Sequence, residues 1–378
     1  MQIAQSRWNG AAWLRDGEAL DGAQLVFVFG TNEALTAGVL EALRTKHPDA
    51  HILGCSTAGE IAGTRVYDGS VVATAVKLAR GRVRAVSEEI SDRDHSQDAG
   101  RRLAQKIPAE GLLHVFVLSD GTVVNGSELA KGMVAALPKG VAVTGGLSGD
   151  GARFGATHVC LDGPPRQKMV AAIGLYGEGL RVGYGSFGGW DPFGPERLVT
   201  RSHGSVVYEL DGRPALDLYR EYLGDHAAGL PASGLLFPLS LRTDAGGVVR
   251  TILNVDDATS SLVFAGDVPQ GSYARLMMAN FDRLIDGATG AARAAQERLC
   301  RGTAELAILI SCVGRKLVLR QRVEEELETV QEVLGAGATL AGFYSYGEIC
   351  PQANDVASAL HNQTMTITTL SEVDCTSS

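Results

Sequence analysis

The chain has 378 residues, of which 45% are hydrophobic, 20% charged and only 6% aromatic. That balance supports a sizeable core and excludes bulk disorder. Thirty-four basic against 43 acidic residues give a net charge of −9, with no basic face of the kind that neutralises nucleic-acid phosphates, so nucleic acid is not an expected partner.

No apolar run reaches the ~18 residues of a membrane span. The opening MQIAQSRWNGAAW has no charged region followed by an apolar stretch, so no secretory leader is expected. Cys55, Cys160, Cys300, Cys312, Cys350 and Cys375 form no CxxC pair and read as free thiols of a cytoplasmic protein. The 47 glycines, well above the usual ~7%, have no collagen-like period and predict many tight turns.

In chain order, residues 1–22 read as an N-terminal segment. A first unit follows: a strand in QLVFVF at 24–29, a helix near 33–45, a strand in HIL at 51–53, then GCSTAGEI at Gly54–Ile61. SVVATAVKL at 70–78 and RVRAV at 82–86 read as strands with hairpin-like alternation. A second unit has LLHVFVL at 112–118, a helix near 128–137 and VAVT at 141–144, ending in GGLSGDG from Gly145. THVCL at 157–161, KMVAAIGLYG at 168–177 and LRVGYGSF at 180–187 again read as antiparallel strands. ELDGRPALDLYREYLG at 209–224 predicts a turn and a helix, and a long helix is expected from about Arg275 to Arg298. The third unit has ELAILIS at 305–311, a helix near 323–334, ATLA at 338–341 and GFYSYGEI at Gly342–Ile349. TMTITTL at 364–370 is a closing strand.

The helices have amphipathic support. Leu35, Val39, Leu40 and Leu43 share one face, as do Leu129, Met133 and Leu137, and Leu327, Val330 and Leu334. Ser127 is the expected N-cap of the second, Pro138 its stop, and Gly335 the C-terminal glycine of the third. Arg320–Glu324 and Arg322–Glu326 read as i,i+4 pairs. Apolar strands flanking a helix suggest βαβ crossovers. The fold class is therefore α/β, with two related domains of mixed sheets built from βαβ-plus-hairpin units with covering helices. The boundary falls in the low 200s, giving domains over 23–205 and 206–378.

The repeat G-x-x-[ST]-x-G-E-I, shared without a gap by the first and third units, carries the functional question. None of the three copies satisfies G-x-S-x-G, and no Asp-then-His order follows, so a serine nucleophile is a weak alternative and Cys55 a slightly better one. There is no GxxxxGK[ST], and the glycine turns follow the second strand rather than precede the crossover helix, against a dinucleotide fingerprint. The eight histidines show no HxH or HExxH spacing. His114, inside an apolar strand, reads as a core histidine. What remains suits a concave pocket with few polar groups. Its candidate polar contacts are Glu60, Asp150 and Glu348, with walls from Tyr344, Tyr346 and Trp190.

The order of GCSTAGEI, LSDG at 118–121, GGLSGDGARF at 145–154, GW with PFGP at 189–195, SCVGRK at 311–316, GFYSYGEICP at 342–351 and LHNQT at 360–364 resembles FIST-domain proteins, with FIST N and FIST C domains. The resemblance implies a non-enzymatic cytoplasmic sensory protein that binds a small ligand and signals to a histidine kinase, a cyclic-diguanylate enzyme or a chemotaxis component. It carries over Cys55, Ser56, Thr57, Glu60, Gly145, Gly146, Ser148 and Asp150 as signature residues of the first domain. For the second it carries over Arg315, Tyr344, Tyr346, Glu348 and His361. One branch resembles haem-binding nitric-oxide sensors, which makes haem b a candidate cofactor and His361 and His203 candidate ligands. With no fused output domain evident, signalling is expected to run through a separate protein. A nucleophilic enzyme and a pure interaction scaffold stay as alternatives. Ligand, pocket number and oligomeric state stay open.

Overall fold

In a computed structural model, residues 1–14, 20–243, 246–300, 302–351 and 357–373 are described. Three copies of one supersecondary unit organise them. The first contains β1 (Gln2–Trp8), β2 (Leu25–Gly30), α1 (Ala37–Lys46), β3 (His51–Ser56), the hairpin β4 (Glu60–Ala62) and β5 (Arg65–Tyr67), and β6 (Val71–Lys77). β2 and β3 are parallel, β6 returns antiparallel to β2, and β1 pairs antiparallel with β6.

The second unit repeats this plan with β7 (Arg82–Glu89), α2 (Ser96–Gln105), β8 (Leu112–Ser119), α3 (Gly126–Ala136), β9 (Ala142–Leu147), β10 (Val159–Leu161) and β11 (Met169–Tyr176). The third begins with β12 (Leu180–Phe187). Its chain then leaves to build an inserted sheet: β13 (Asp191–His203), β14 (Val206–Leu210), α4 (Ala215–Leu223), β15 (Leu239–Thr243), β16 (Gly246–Arg250), β17 (Ile252–Asp256), β18 (Ser261–Phe264) and β19 (Tyr273–Met278). It returns through α5 (Phe281–Arg298), β20 (Leu306–Cys312), α6 (Val313–Leu319), α7 (Glu325–Leu334), β21 (Thr339–Ser345), the hairpin β22 (Gly347–Pro351) and β23 (Ser358–His361), and β24 (Met365–Glu372).

The strand that follows each glycine turn joins another unit's sheet. β4 pairs with β21, placing Glu60 opposite Phe343. β22 pairs with β9, placing Glu348 opposite Gly146. β10 pairs with β3, placing Val159 opposite Cys55. The first unit lends to the third, the third to the second and the second to the first, so three six-stranded sheets are interlocked in a ring.

Period-2 patterning explains the packing. Leu25, Phe27 and Phe29 of β2 point into a core shared with Phe116 and Phe343, while Val26 and Val28 pack with Val39, Leu40 and Leu43 of α1. Phe27 meets Phe116 edge-on at 5.3 Å, and Phe29 lies 4.8 Å from Phe343, so rings from all three sheets meet in the middle. Gly54, Gly145 and Gly342 recur at one position of β3, β9 and β21. A Cβ there would collide with the neighbouring strand's Val28, Val117 or Leu309 carbonyl, which explains this glycine of the repeat. The inserted sheet has its own core around Leu216, Tyr219, Leu262 and Phe264.

The mixed α/β class and the three unit positions agree with the sequence pattern. The pairing of successive strands does not. Residues 70–78 and 82–86 form no hairpin, because β6 stays in the first sheet while β7 pairs with β11. Likewise β11 and β12 lie in different sheets. Alternation shows that a strand is half-covered, not which neighbour covers it. Arg275 lies in β19, and Asn280 caps α5 instead, its side chain accepting from Arg283 N. Asn125, not Ser127, caps α3. The expected i,i+4 pairs are replaced by longer-range ones: Arg322 engages Glu325 and Asp282, Glu324 engages Arg65, and Glu326 engages Arg315.

Candidate functional site

The three glycine turns meet at the centre of the ring. Ala58 N donates to Tyr344 O at 2.8 Å and Tyr344 N to Gly59 O at 2.8 Å. Gly149 N donates to Ser56 O at 2.9 Å, and Tyr346 N to Leu147 O at 3.1 Å. The repeated acids lie beside these contacts in matching cages. The Glu60 carboxylate accepts from Thr57 Oγ1 at 2.5 Å and Ser70 Oγ at 2.7 Å. The Glu348 carboxylate accepts from Ser345 Oγ at 2.7 Å and Thr364 Oγ1 at 2.9 Å. Ser70 and Thr364 immediately precede β6 and β24, so each acid ties its turn to its unit's return strand. Burial pushes the Glu60 carboxyl up to about 7 and that of Glu348 up to about 8, against the hydroxyl donors that favour the charged form.

In the second unit the offset of Glu60 and Glu348 falls on Gly151, and Asp120 supplies the carboxylate instead. It accepts from Lys168 N at 2.7 Å, Thr157 Oγ1 at 2.7 Å and Thr122 N at 2.8 Å. Lys168 immediately precedes β11, the position of Ser70 and Thr364. Asp120 lies outside the repeat motif, because it follows β8 rather than β9. The signal available was the LSDG tetrapeptide.

Most of the sequence-selected residues are enclosed. Cys55, Ser56, Thr57, Glu60, Ser148, Arg315, Tyr344 and Glu348 have at most 1% of their surface exposed. Ser56 Oγ accepts from His158 N, and Ser148 Oγ donates to Ser119 O. Gly146 faces Ile310. Asp150 binds Asn32 Nδ2 at 2.9 Å and Arg153; burial raises its carboxyl, but Arg153 and the backbone amides of Ala156 and Gly155 outweigh that and hold it below the ordinary range. The ring of Trp190, expected as a pocket wall, packs with Leu284 and Val318 and donates from Nε1 to Gln363 O at 2.8 Å. Tyr344 donates to Glu326 Oε1 at 2.7 Å. Tyr346, 7% exposed, stacks 4.4 Å from Phe154 and donates from its hydroxyl to Gly151 O at 3.2 Å.

Open space lies beside this centre. A cleft of about 930 Å³ runs between the second turn, the inserted sheet and α6. The turn supplies Ala152 and Phe154, the insertion Leu230, Pro231, Leu235, Leu236, Ile252 and Leu253, and α6 with its end Lys316, Leu317, Val318 and Arg320. None of the residues selected from the repeat lines it. Arg315, next to Lys316 on α6, is fully buried. Its guanidinium bonds Glu326 at 2.8 Å, Leu284 O at 2.7 Å and Gly188 O at 2.5 Å. Gly188 and Leu284 flank the two crossings between the ring and the insertion. Gln363, in the LHNQT segment, also touches this region, donating from Nε2 to Leu235 O at 3.3 Å.

Haem does not fit these residues. His361 is buried, with Nε2 held 3.0 Å from Cys350 O, and burial pushes it down to about 4. His203 is exposed at the end of β13. Among the described residues, neither this cleft nor a second one of about 640 Å³, lined by Gln5, Arg7, Arg65 and Tyr67, carries a histidine, cysteine or methionine. Among the described residues no group of three His, Cys, Asp or Glu could hold a metal ion. The Cys55 thiol is pushed well up by burial, which disfavours the thiolate a nucleophile needs. His114 is a core histidine, bonded to Thr144 Oγ1 at 2.7 Å and pushed down to about 3 by burial.

Known proteins share the sequence. The chain is 31% identical over 238 residues to an uncharacterized protein of Mycobacterium bovis, covering 60% of this chain and 59% of that relative's length. It is 26% identical over 346 residues to an uncharacterized protein of Mycobacterium tuberculosis, covering 86% and 85% of the two. A Methanocaldococcus jannaschii protein, also uncharacterized, is 24% identical over 319 residues, 77% of this chain and 59% of its own. Residues 24–213 match the FIST N domain and residues 215–351 the FIST C domain, together most of the chain, and the chain therefore belongs to the FIST family.

Proposed function

We propose that this chain is a sensory protein that takes a small ligand in the cleft between its ring of sheets and its inserted sheet, and reports occupancy to a separate signalling protein. FIST domains are associated with signal transduction and small-ligand sensing. The observation that carries the reading is the cleft itself. Its size, apolar lining and few polar groups are those of a ligand site, and its walls come from the second turn and α6 of the ring on one side and from the inserted sheet, which has its own core, on the other. A ligand touching both parts favours one arrangement of them over another, which is the requirement for a signal. Arg315 supplies a route, since it ties α6 to the chain at both crossings into the insertion.

The same reading makes the chain non-enzymatic and cytoplasmic, with a histidine kinase, cyclic-diguanylate enzyme or chemotaxis component as partner. No helix among the described residues is long and apolar enough to cross a membrane. The test is a thermal-shift screen of the purified chain against a metabolite library. A ligand at 100 times its Kd raises stability by about 2.7 kcal/mol. At least one compound is expected to raise Tm in the parent and not in Leu253→Trp, which crowds the cleft from an exposed position. A library without such a compound overturns the reading.

A further inference from the structure

We infer that the cleft is built for an amphipathic monoanion, a single carboxylate on an aliphatic or aromatic body, with Arg320 as the counter-ion; this rests on the cleft being the ligand site. Three observations converge. First, Phe154, Leu253 and Leu317, three of the nine large apolar side chains exposed among the described residues, leave 41%, 40% and 37% of their surface uncovered. All three face this one cleft. An apolar patch of this kind marks a place where something apolar binds.

Second, the charge in the lining has one sign. Among the described residues it contains Lys316 and Arg320 and no carboxylate. Lys316 is already satisfied, with Nζ 2.5 Å from Asp68 and 2.9 Å from Ala58 O. The neighbouring Arg315 and Arg322 are also paired, with Glu326 and with Glu325 and Asp282. The Arg320 guanidinium makes no hydrogen bond or ion pair among the described residues, while its backbone caps α6 through N–H to Lys316 O. It is the one cation of the lining left for a ligand, and a guanidinium matches a carboxylate in two parallel hydrogen bonds.

Third, Phe154 and Arg320 both hold left-handed backbone, each at φ +51°, which side-chain-bearing residues adopt at a cost. Such strain persists where the surroundings over-determine it, and it gathers at binding sites. Here it aims an aromatic ring and a cation into one space. The body of the ligand would lie along Phe154, Leu236 and Leu253, and its head at Arg320.

The experiment is titration calorimetry of the full chain with decanoate and with decanol, both below their aggregation limits. Decanoate is expected to bind one to one, about tenfold tighter than decanol, the effect of one charge-assisted interaction. Arg320→Gln should remove that preference without changing decanol binding, and Arg320→Glu should reverse it. Arg320 is on the surface, so both variants keep the fold, which circular dichroism checks. Equal binding of the two ligands, or a preference untouched at Arg320→Gln, overturns the anion assignment. If the library screen nevertheless yields a neutral or cationic compound blocked by Leu253→Trp, the sensing reading stands without it. If neither decanoate nor any library compound binds, both fall.

Discussion

Glu60 and Glu348 are buried acids, each caged by two hydroxyls of its own unit. Both carboxyls are fully buried and both are pushed up, to about 7 and about 8, from an ordinary value of 4.5. The folded chain therefore keeps protons that the unfolded chain releases between about pH 4.5 and pH 8. Unfolding in that window loses protons, so these two residues make stability fall as pH rises. His114 and His361, held neutral by burial, act in the opposite sense at lower pH: their contribution is lost as pH falls from 6.5 toward about 3 for His114 and about 4 for His361. The variant Glu348→Gln isolates the first effect. Urea melts from pH 5 to pH 9 should show the parent losing stability relative to the variant, with the variant the more stable above about pH 8. A parent that gains on the variant across that range would mean that Glu348 is ionised in the fold.

At the scale of elements, α6 is the part that connects site to architecture. One face lines the cleft with Lys316, Leu317 and Val318, while Arg315 turns inward to Glu326 of α7, Leu284 of α5 and Gly188 before the insertion. Arg315 and Glu326 are both 0% exposed, and removing one partner leaves an uncompensated buried charge. Arg315→Met should cost ~3–5 kcal/mol in a urea melt. The double variant with Glu326→Leu should recover part of that loss, because no lone charge then stays buried. A single variant within ~0.5 kcal/mol of the parent would show that the pair contributes nothing there, the range typical of surface changes.

For the whole molecule, the exchange of strands decides how it unfolds. No unit completes its own sheet: each borrows a strand or hairpin from another, and the loan closes in a ring. Opening one unit therefore exposes the edges of two sheets. Native-state hydrogen exchange should find the central strands β2, β8 and β20 opening together at the highest free energy. Amides of α4 and the inserted sheet, with a separate core, should open at lower free energy. A unit whose central strand opens well before the other two would contradict the interlocked ring.

Read by itself, the sequence determined the parts. Phe27 and Val28 belong to an unbroken apolar run that only a doubly covered strand tolerates, Leu129 and Met133 repeat at helical spacing, and G-x-x-[ST]-x-G-E-I recurs because each unit needs a side-chain-free close approach, a hydroxyl and an acid. Those are local demands, and local demands are written in contiguous residues. The tertiary structure decided the partners. That β4 belongs with β21 rather than β3, that Asp120 replaces the missing third acid, and that the signature residues brace the centre while Phe154, Leu253 and Arg320 face the cleft all depend on residues far apart in the chain. A period-2 strand pairs equally well with any edge of suitable register, so the choice among edges comes only from packing the whole.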